Sequence, residues 1–373
     1  MAGKSGAPWW AHFLMYAGGL TMVVAGATAG FAQYALDRAN NTIEQEDILG
    51  DNRAEMDVEN IEGPLNILVL GTDKQGGSTR SDTMIIVHIN GDLTQATMVS
   101  LPRDLLVDIP DCGPGFGGNP CQNKLNHAAS ISDDWDVTRA NVVQTVYDLT
   151  GVRFHMGATA DFNGFVDMVD LVGTVEICTW KEFQSHHTDR VFEKGCHDYD
   201  KEAALDLVRQ RYQFYDTIDY DLNLYGDYAR QNFQQQAIKS LLEQAKAQGF
   251  LQDPAKLTEL LEGFGDKVTL DLPEGVTVTD LAVNLRNIDP STMTTVRVPA
   301  SSEQGTEWGD IERIHDGPEA EAAASLWLAL QNDTLDAWMA ANPEWVKSDA
   351  ANPDSYTDGE TELGTESASP GTD

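Results

Sequence analysis

No Asp, Glu, Lys or Arg occurs between Pro8 and Ala35, and within that span Phe13 to Ala32 is an apolar stretch of 20 residues. A helix of that length crosses a hydrocarbon core of roughly 30 Å, so residues 13–35 are expected to form a transmembrane anchor with the rest of the chain folded on one side. Trp9 and Trp10 stand at one edge of the stretch, where interfacial anchors belong. Lys4 and the amino terminus precede it, whereas Asp37 to Glu59 is net acidic. The positive-inside rule therefore puts residues 1–12 in the cytoplasm and everything beyond residue 36 outside the cell membrane, as a single-pass protein. A cleaved signal peptide is the rival reading, because Ala25 to Ala29 are small residues. The apolar run exceeds the ~7–15 residues of a signal h-region, which favours a retained anchor.

Composition narrows the partners. With 60 acidic against 24 basic residues the formal charge is −36, which argues against a nucleic-acid-binding surface. Four cysteines suit an external address. Cys112 and Cys121 bracket a glycine-rich loop, and Cys178 and Cys196 bracket a polar stretch. Three disulfide pairings are open, and the local one, Cys112 with Cys121 and Cys178 with Cys196, is preferred. A zinc site is the alternative, since His186, His187 and His197 lie near Cys178 and Cys196, but no C-x-x-C spacing is present.

Residues 36–62 are polar and acidic and read as a stalk; residues 63–345 carry the apolar periodicity of one α/β domain; residues 346–373 are rich in Asp, Glu, Ser, Thr, Gly and Pro and read as a disordered acidic tail. Asn66–Leu70 is a continuous apolar run and predicts a buried strand, with the glycine-containing segment 71–79 as a loop at its end. Strands are expected over 83–89, 96–101, 154–159, 174–179 and 293–298, and helices over 136–150, 162–171, 202–211 and 227–248. A helix from Pro254, a connecting segment, a helix near Thr279 and one or two helices over 318–345 complete the domain.

The motifs with chemistry fall at strand and helix ends. Asp73 and Asp82 are two carboxylates nine positions apart on either side of a glycine-containing loop, the oxygen-donor chemistry that Mg²⁺ takes. Arg80, Arg103, Arg209, Arg211 and Arg230 supply guanidinium groups that fork onto phosphate oxygens and stay charged. Arg209 and Arg211 diverge on a helix and reach one ligand only if the helix ends there. Arg230 and Gln234 share one face at i and i+4, and the first turn of their helix can help hold an anion; Asp227, at that start, is a further substrate-binding candidate. Lys124 and Asn126 either orient a substrate or close a loop. His127, His186 and His187 have no partner pattern and read as solvated. Together the pattern implies metal-assisted chemistry on a phosphate ester.

Seven motifs in order, from about Asn66 to Leu242, make the chain resemble the LytR-CpsA-Psr family of bacterial cell-wall phosphotransferases. They are Asn66-Ile-Leu-Val-Leu-Gly-Thr-Asp73, Arg80-Ser-Asp-Thr-Met84, Ser100-Leu-Pro-Arg-Asp104, Lys124-Leu-Asn-His-Ala-Ala129, Gly164 to Asp170, Ala204 to Arg211, and Gly226-Asp-Tyr-Ala-Arg230. The resemblance implies a single domain with a mixed central β-sheet between helices, and a pocket for the tail of a polyprenyl diphosphate. It implies transfer of a glycopolymer phosphate from that carrier to peptidoglycan beside the membrane lipid, with Asp73 and Asp82 holding Mg²⁺ (Mn²⁺ as an alternative). Arg80, Arg103, Arg209, Arg211, Arg230 and Gln234 match the residues lining the diphosphate site. The same residues allow a polyprenyl-diphosphate phosphohydrolase, or a lipid-carrier-binding regulator of envelope genes without enzymatic activity. The chain departs from the family pattern at Asp200-Lys201-Glu202, at Thr174, at Phe233 and in an acidic, aromatic insert over 212–225.

The tail has no apolar periodicity to pack with. Deleting residues 349–373 is expected to leave the melting temperature within about 1 °C of the full chain, because surface changes away from packed features stay within about 0.5 kcal/mol. A large fall in a thermal melt would show that the tail packs on the domain.

Overall fold

A computed structural model describes residues 44–75, 78–211, 226–250, 253, 256–258, 262–263 and 267–347, with backbone alone for 73–75 and 78–80. The expected anchor, the insert 212–225 and the tail from 348 lie outside the described residues, as does most of the helix expected from Pro254. Among the described residues, no helix is long and apolar enough to cross a membrane.

The central sheet of the described residues has eight strands: β1 (Glu44–Gln45), β2 (Leu65–Gln75), β3 (Ser78–Ile89), β4 (Ala96–Leu101), β5 (Met156–Asp161), β6 (Val268–Asp271), β7 (Thr294–Arg297) and β8 (Val346–Lys347). Their spatial order is β1-β6-β5-β2-β3-β4-β7-β8. The sheet is mixed: β2 runs antiparallel to β3 and β3 to β4, whereas β5 lies parallel to β2 and β7 parallel to β4.

Helices cover both faces, and the strand sequences show why. Successive side chains on a strand point to opposite faces, so a strand buried on both sides must be apolar throughout. On β3, Met84 and Ile86 enter one cluster with Val142, Val146, Leu326 and Leu330, from helices Trp135–Thr150 and Pro318–Asn332. Ile85 and Ile89 enter the other with Val169, Leu207, Phe233 and Ala237, from helices Phe162–Val172, Lys201–Leu207 and Gly226–Ala247. Each fully buried Leu or Ile contributes roughly 1.5–3 kcal/mol of transfer free energy.

Local signals set the helix ends. Asp134, Asp161 and Asp200 each cap a helix by accepting a backbone N–H. Gly151, at φ +64°, ends the helix Trp135–Thr150 in the left-handed conformation that glycine adopts without penalty. The helix expected over 202–211 is shorter, Lys201–Leu207, so Arg209 and Arg211 lie beyond its end rather than on it.

Three sequence readings change. Residues 44–62 do not form a stalk: Glu44–Gln45 pairs with β6, and Ile48, Leu49 and Ile61 are buried. The buried Asp271 carboxylate accepts from the backbone N–H groups of Ile48 and Leu49 at 2.7 and 2.8 Å and pairs with Arg53, which ties the segment down. The expected loop after Leu70 is instead a continuation of β2 paired with β3 out to Gln75 and Ser78. Residues 346–347, expected as the start of the tail, belong to the domain, because Val346–Lys347 pairs with β7. Both local disulfides are formed, and Cys178 lies directly opposite Cys196 in an antiparallel ladder. The cysteines are thereby withdrawn from the zinc alternative.

His88 lies buried in β3, with Nδ1 2.8 Å from Asn66 Oδ1 and Nε2 3.1 Å from Asp333 Oδ1; nearby, the Asn66 N–H donates to His155 Nδ1. Burial lowers the pKa of His88 against the opposing pull of Asp333 and Asp336. His155 is lowered by burial as well, and repulsion from His88 adds to it. Both folded-state values lie below the unfolded value of 6.5, so the unfolded chain takes up protons first as pH falls. The stability these groups contribute is complete above that value and drains away as pH drops below it. Denaturant unfolding at several pH values should show a loss between pH ~7 and ~5 that is shallower in His88→Gln. Identical slopes for the two proteins would refute the assignment.

Candidate functional site

Gly71 and Thr83 pair across the β2–β3 hairpin, and a Cβ on Gly71 would lie 2.8 Å from the Thr83 Cβ. The strands can approach there only with glycine. One step further, Thr72 pairs with Ser81 rather than with Asp82, so Asp82 is the extra residue of a β-bulge. Ser81 Oγ holds the bulge by sharing its one hydroxyl proton between the carbonyls of Gly71 and Thr83, both at 3.2 Å. A bulge re-aims its side chain. The Asp82 carboxylate turns to Arg103, whose Nη1 donates to it at 2.7 Å.

Arg103 follows β4 in a turn closed by the Leu105 N–H on the Pro102 carbonyl. Its Nε lies 3.3 Å from Asp104 Oδ2 and 3.6 Å from Asp227 Oδ1. Burial opposes its charge, but Asp227, Asp82 and Asp104 outweigh that penalty and raise its pKa further. Arg230 Nη2 donates to the Asp82 carbonyl at 2.9 Å and lies 2.8 Å from Asp227 Oδ1. Lys124 Nζ pairs with Asp104 at 3.2 Å, and the Asn126 N–H donates to the Arg103 carbonyl at 2.8 Å. Lys124, Asn126 and Asp227 do not line the cavity and instead support the Arg103 turn from behind.

The cavity has a volume of about 460 Å³ and two kinds of wall. Asp82, Arg103, Arg209, Arg211, Arg230 and Gln234 make one part polar. Val69, Ile85, Phe165, Met168, Ile238 and Leu241 make the other apolar. One face of the helix Gly226–Ala247 supplies both kinds, from Arg230 and Gln234 near its start to Ile238 and Leu241 further along.

The arginine pair is set by the residue between its members. Gln210 is fully buried; its Nε2 donates to Ser185 Oγ at 2.8 Å and Asp206 Oδ1 at 2.7 Å, and its Oε1 accepts from the His186 N–H at 3.0 Å. With Gln210 pointing inward, Arg209 and Arg211 reach the cavity, and the Arg209 guanidinium stacks over the Phe162 ring at 5.0 Å.

His187, read from sequence as solvated, also lines the cavity, with Nε2 3.4 Å from the Arg209 carbonyl. Nothing in its local sequence marks it, because the contact is made by a separate loop folding back. Phe162, Phe165 and Met168 were readable only as an apolar helix face, which core packing explains equally well. The side chains of Asp73 and Arg80 lie outside the described residues; their backbones pair with each other beyond the bulge, at the same end of the hairpin. Among the described residues, no three His, Cys, Asp or Glu side chains are grouped to hold a metal ion.

Residues 27–324 match the model of the LytR_cpsA_psr family. The chain is 27% identical over 307 residues to the cell wall biosynthesis protein LcpA of Corynebacterium glutamicum, covering 72% of this chain and 57% of the relative. It is 30% identical over 210 residues to the polyisoprenyl-teichoic acid–peptidoglycan teichoic acid transferase TagU of Oceanobacillus iheyensis, covering 56% of this chain and 59% of the relative. The matched segments thus span under three fifths of either curated relative. The fold is shared with TagV of B. subtilis, at a TM-score of 0.57 and 22% identity, covering 74% of this chain and 99% of that one.

The close approach at Gly71 can be tested directly. Gly71→Ala should destabilise the chain by ~1–3 kcal/mol, the usual cost of overpacking, because the Thr83 Cβ belongs to a paired strand and cannot move aside alone. Unchanged stability in a urea titration would show that the hairpin is looser than described.

Proposed function

The chain belongs to the LytR_cpsA_psr family, and from that premise we propose that it is a membrane-anchored phosphotransferase that moves a glycopolymer phosphate from a polyprenyl-diphosphate carrier onto peptidoglycan. The observation that carries this reading is the two-part cavity. Guanidinium groups at one part suit a diphosphate, and the apolar wall suits an isoprenoid tail, so an amphiphile of that kind satisfies both at once. The similarity to the Oceanobacillus polyisoprenyl-teichoic acid–peptidoglycan teichoic acid transferase supports the same class of donor and acceptor.

In the proposed reaction a sugar hydroxyl of peptidoglycan attacks the phosphorus that bears the glycan. A new O–P bond forms, the hydroxyl proton is lost, and the bond to the bridging oxygen breaks to release polyprenyl phosphate. Arg103, Arg209, Arg211 and Arg230 line the polar part of the cavity, and in this reading they neutralise charge that builds on the phosphoryl oxygens. Arg103 is suited to that task because its carboxylate neighbours keep it protonated and fixed in orientation. The apolar wall excludes water from the tail and would favour the bound lipid.

Asp82 offers the hard oxygen donor that a divalent cation takes, and we assign Mg²⁺ to Asp82 and Asp73 together. Bound there, the cation would act as a Lewis acid on the diphosphate. An extracytoplasmic address, with residues 13–35 as the anchor, is supported by the two disulfides.

The test is a mass-spectrometric assay of residues 37–373 with a polyprenyl-diphosphate glycan and peptidoglycan fragments. The expected products are glycan-phosphate joined to peptidoglycan and free polyprenyl phosphate, with turnover reduced on the order of a hundredfold or more in Asp73→Asn and Asp82→Asn. Release of glycan-phosphate to water alone would make the protein a hydrolase, and carrier binding without turnover would make it a binding protein. Full activity in both variants at ordinary Mg²⁺ would remove the metal assignment.

A further inference from the structure

The hairpin formed by Ser301–Thr306 and Gly309–Arg313 contributes nothing to the cavity wall, yet it touches both supports of Arg103. Glu312 pairs with Leu105 in an isolated bridge, and its N–H donates to the Asp104 carbonyl at 2.9 Å. That bond fixes the turn carrying Arg103. Its carboxylate meanwhile accepts from Tyr228 Oη at 2.8 Å and from Ser302 Oγ at 2.6 Å. Tyr228 is fully enclosed in the first turn of the helix Gly226–Ala247, next to Asp227.

A half-buried carboxylate is costly unless its lone pairs are used. Burial pushes the Glu312 carboxyl up, opposed by Ser302, by Tyr228 and by the charge of Arg297. Arg297 is buried, stacked 4.9 Å from the Tyr228 ring centre and 4.5 Å from that of Trp345. Its Nε and Nη1 find no hydrogen-bond acceptor among the described residues. The cluster is therefore an expensive way to fill space, and it sits directly behind Asp227.

Asp227 Oδ1 lies within ion-pair range of Arg230 and Arg103 but is not aligned for a hydrogen bond with either. Its hold on Arg103 depends on where the helix start is placed rather than on a directed bond of its own. Arg103 bonds directly to Asp82 and Asp104, and one residue outside the cavity reaches both the turn that carries Asp104 and the helix start that carries Asp227.

We infer that Glu312 is a positioning residue for Arg103, joining the turn at Asp104 to the helix start at Tyr228 so that the guanidinium meets the phosphate in one orientation. The inference rests on the reading of the cavity as a diphosphate site. Glu312 touches no ligand itself; it acts through the Asp104 carbonyl on one side and through Tyr228 and Asp227 on the other.

Tyr228→Phe removes only the hydroxyl and is the decisive variant, with Glu312→Gln as a second that keeps an acceptor for Tyr228. On the full chain in detergent, the exchange of the Arg103 Nε–H, followed by NMR and assigned through Arg103→Lys, should be faster in Tyr228→Phe and close to wild type in Glu312→Gln. With geranylgeranyl diphosphate as the calorimetric probe, Tyr228→Phe should weaken binding roughly tenfold, less than the hundredfold that about 1 Å of misplacement can cost. In the Arg103→Lys background the same change should have little further effect, because residues acting through one another are not additive. Unchanged Arg103 exchange in Tyr228→Phe, or an equal loss of affinity with and without Arg103, would reduce Glu312 to a packing role. The exchange measurement needs no ligand, so it decides the inference even if wild type binds no lipid diphosphate, a result that would sink the proposed function instead.

Discussion

The central strands are covered on both faces, and that single constraint determines where charge can appear. Along β3 every position from Met84 to Ile86 is sealed, and along β4 every position from Ala96 to Leu101 is buried. A charged side chain within those spans would face apolar surroundings without water. Charged groups are therefore displaced to where the strands leave the sheet. Asp82 sits on the bulge below Met84, and Arg103 two positions beyond the end of β4. Because β3 and β4 are antiparallel neighbours, with Met84 opposite Leu101, these two exits lie side by side. The Asp82–Arg103 ion pair is thus a consequence of the sheet register.

Electrostatics then holds the site together with little margin. Asp82, Asp104 and Asp227 meet Arg103, Arg230 and Lys124 in one partly buried cluster. Such clusters contribute little net stability, since desolvation offsets most of the attraction, but removing one member strands another charge. Their value is in orientation. Arg103 is constrained by acids on several sides, and a guanidinium already fixed in place loses less entropy when it binds phosphate. In a chain with a formal charge of −36, local pairing also shields these arginines from being drawn to other surface acids.

The parts of the fold legible in the sequence are those where local signals and tertiary packing agree. The strand 96–101 and the helix ending before Gly151 are of this kind: an apolar run fully buried, and a glycine in the conformation a helix end needs. The helix expected over 202–211 stops at Leu207 instead, short of the arginine pair; the sequence carried only the condition that two arginines sharing a ligand must sit at a helix end. Residues 44–62 were misread because their buried members, Ile48, Leu49 and Ile61, follow neither helix nor strand period. Their burial comes from tertiary contacts, and the backbone of Ile48 and Leu49 is tied down by Asp271, more than 200 positions away. The strand Val268–Asp271 was hidden by its shortness, and the extended hairpin by glycines that resemble a loop signal.

The candidate site divides along the same line. Asp82, Arg103, Arg209, Arg211, Arg230 and Gln234 could be named in advance because their chemistry is conspicuous and their placement follows from element ends. The residues that hold them could not. Gln210 has no chemical signature, yet its burial is what sends its two arginine neighbours the same way. Ser81 holds the bulge by two hydroxyl contacts that no sequence spacing encodes. Ligand-facing groups must be charged and so stand out in a sequence, whereas the groups that orient them need only one well-placed hydrogen bond. Any common polar residue can supply that bond, and only the folded geometry reveals which one does.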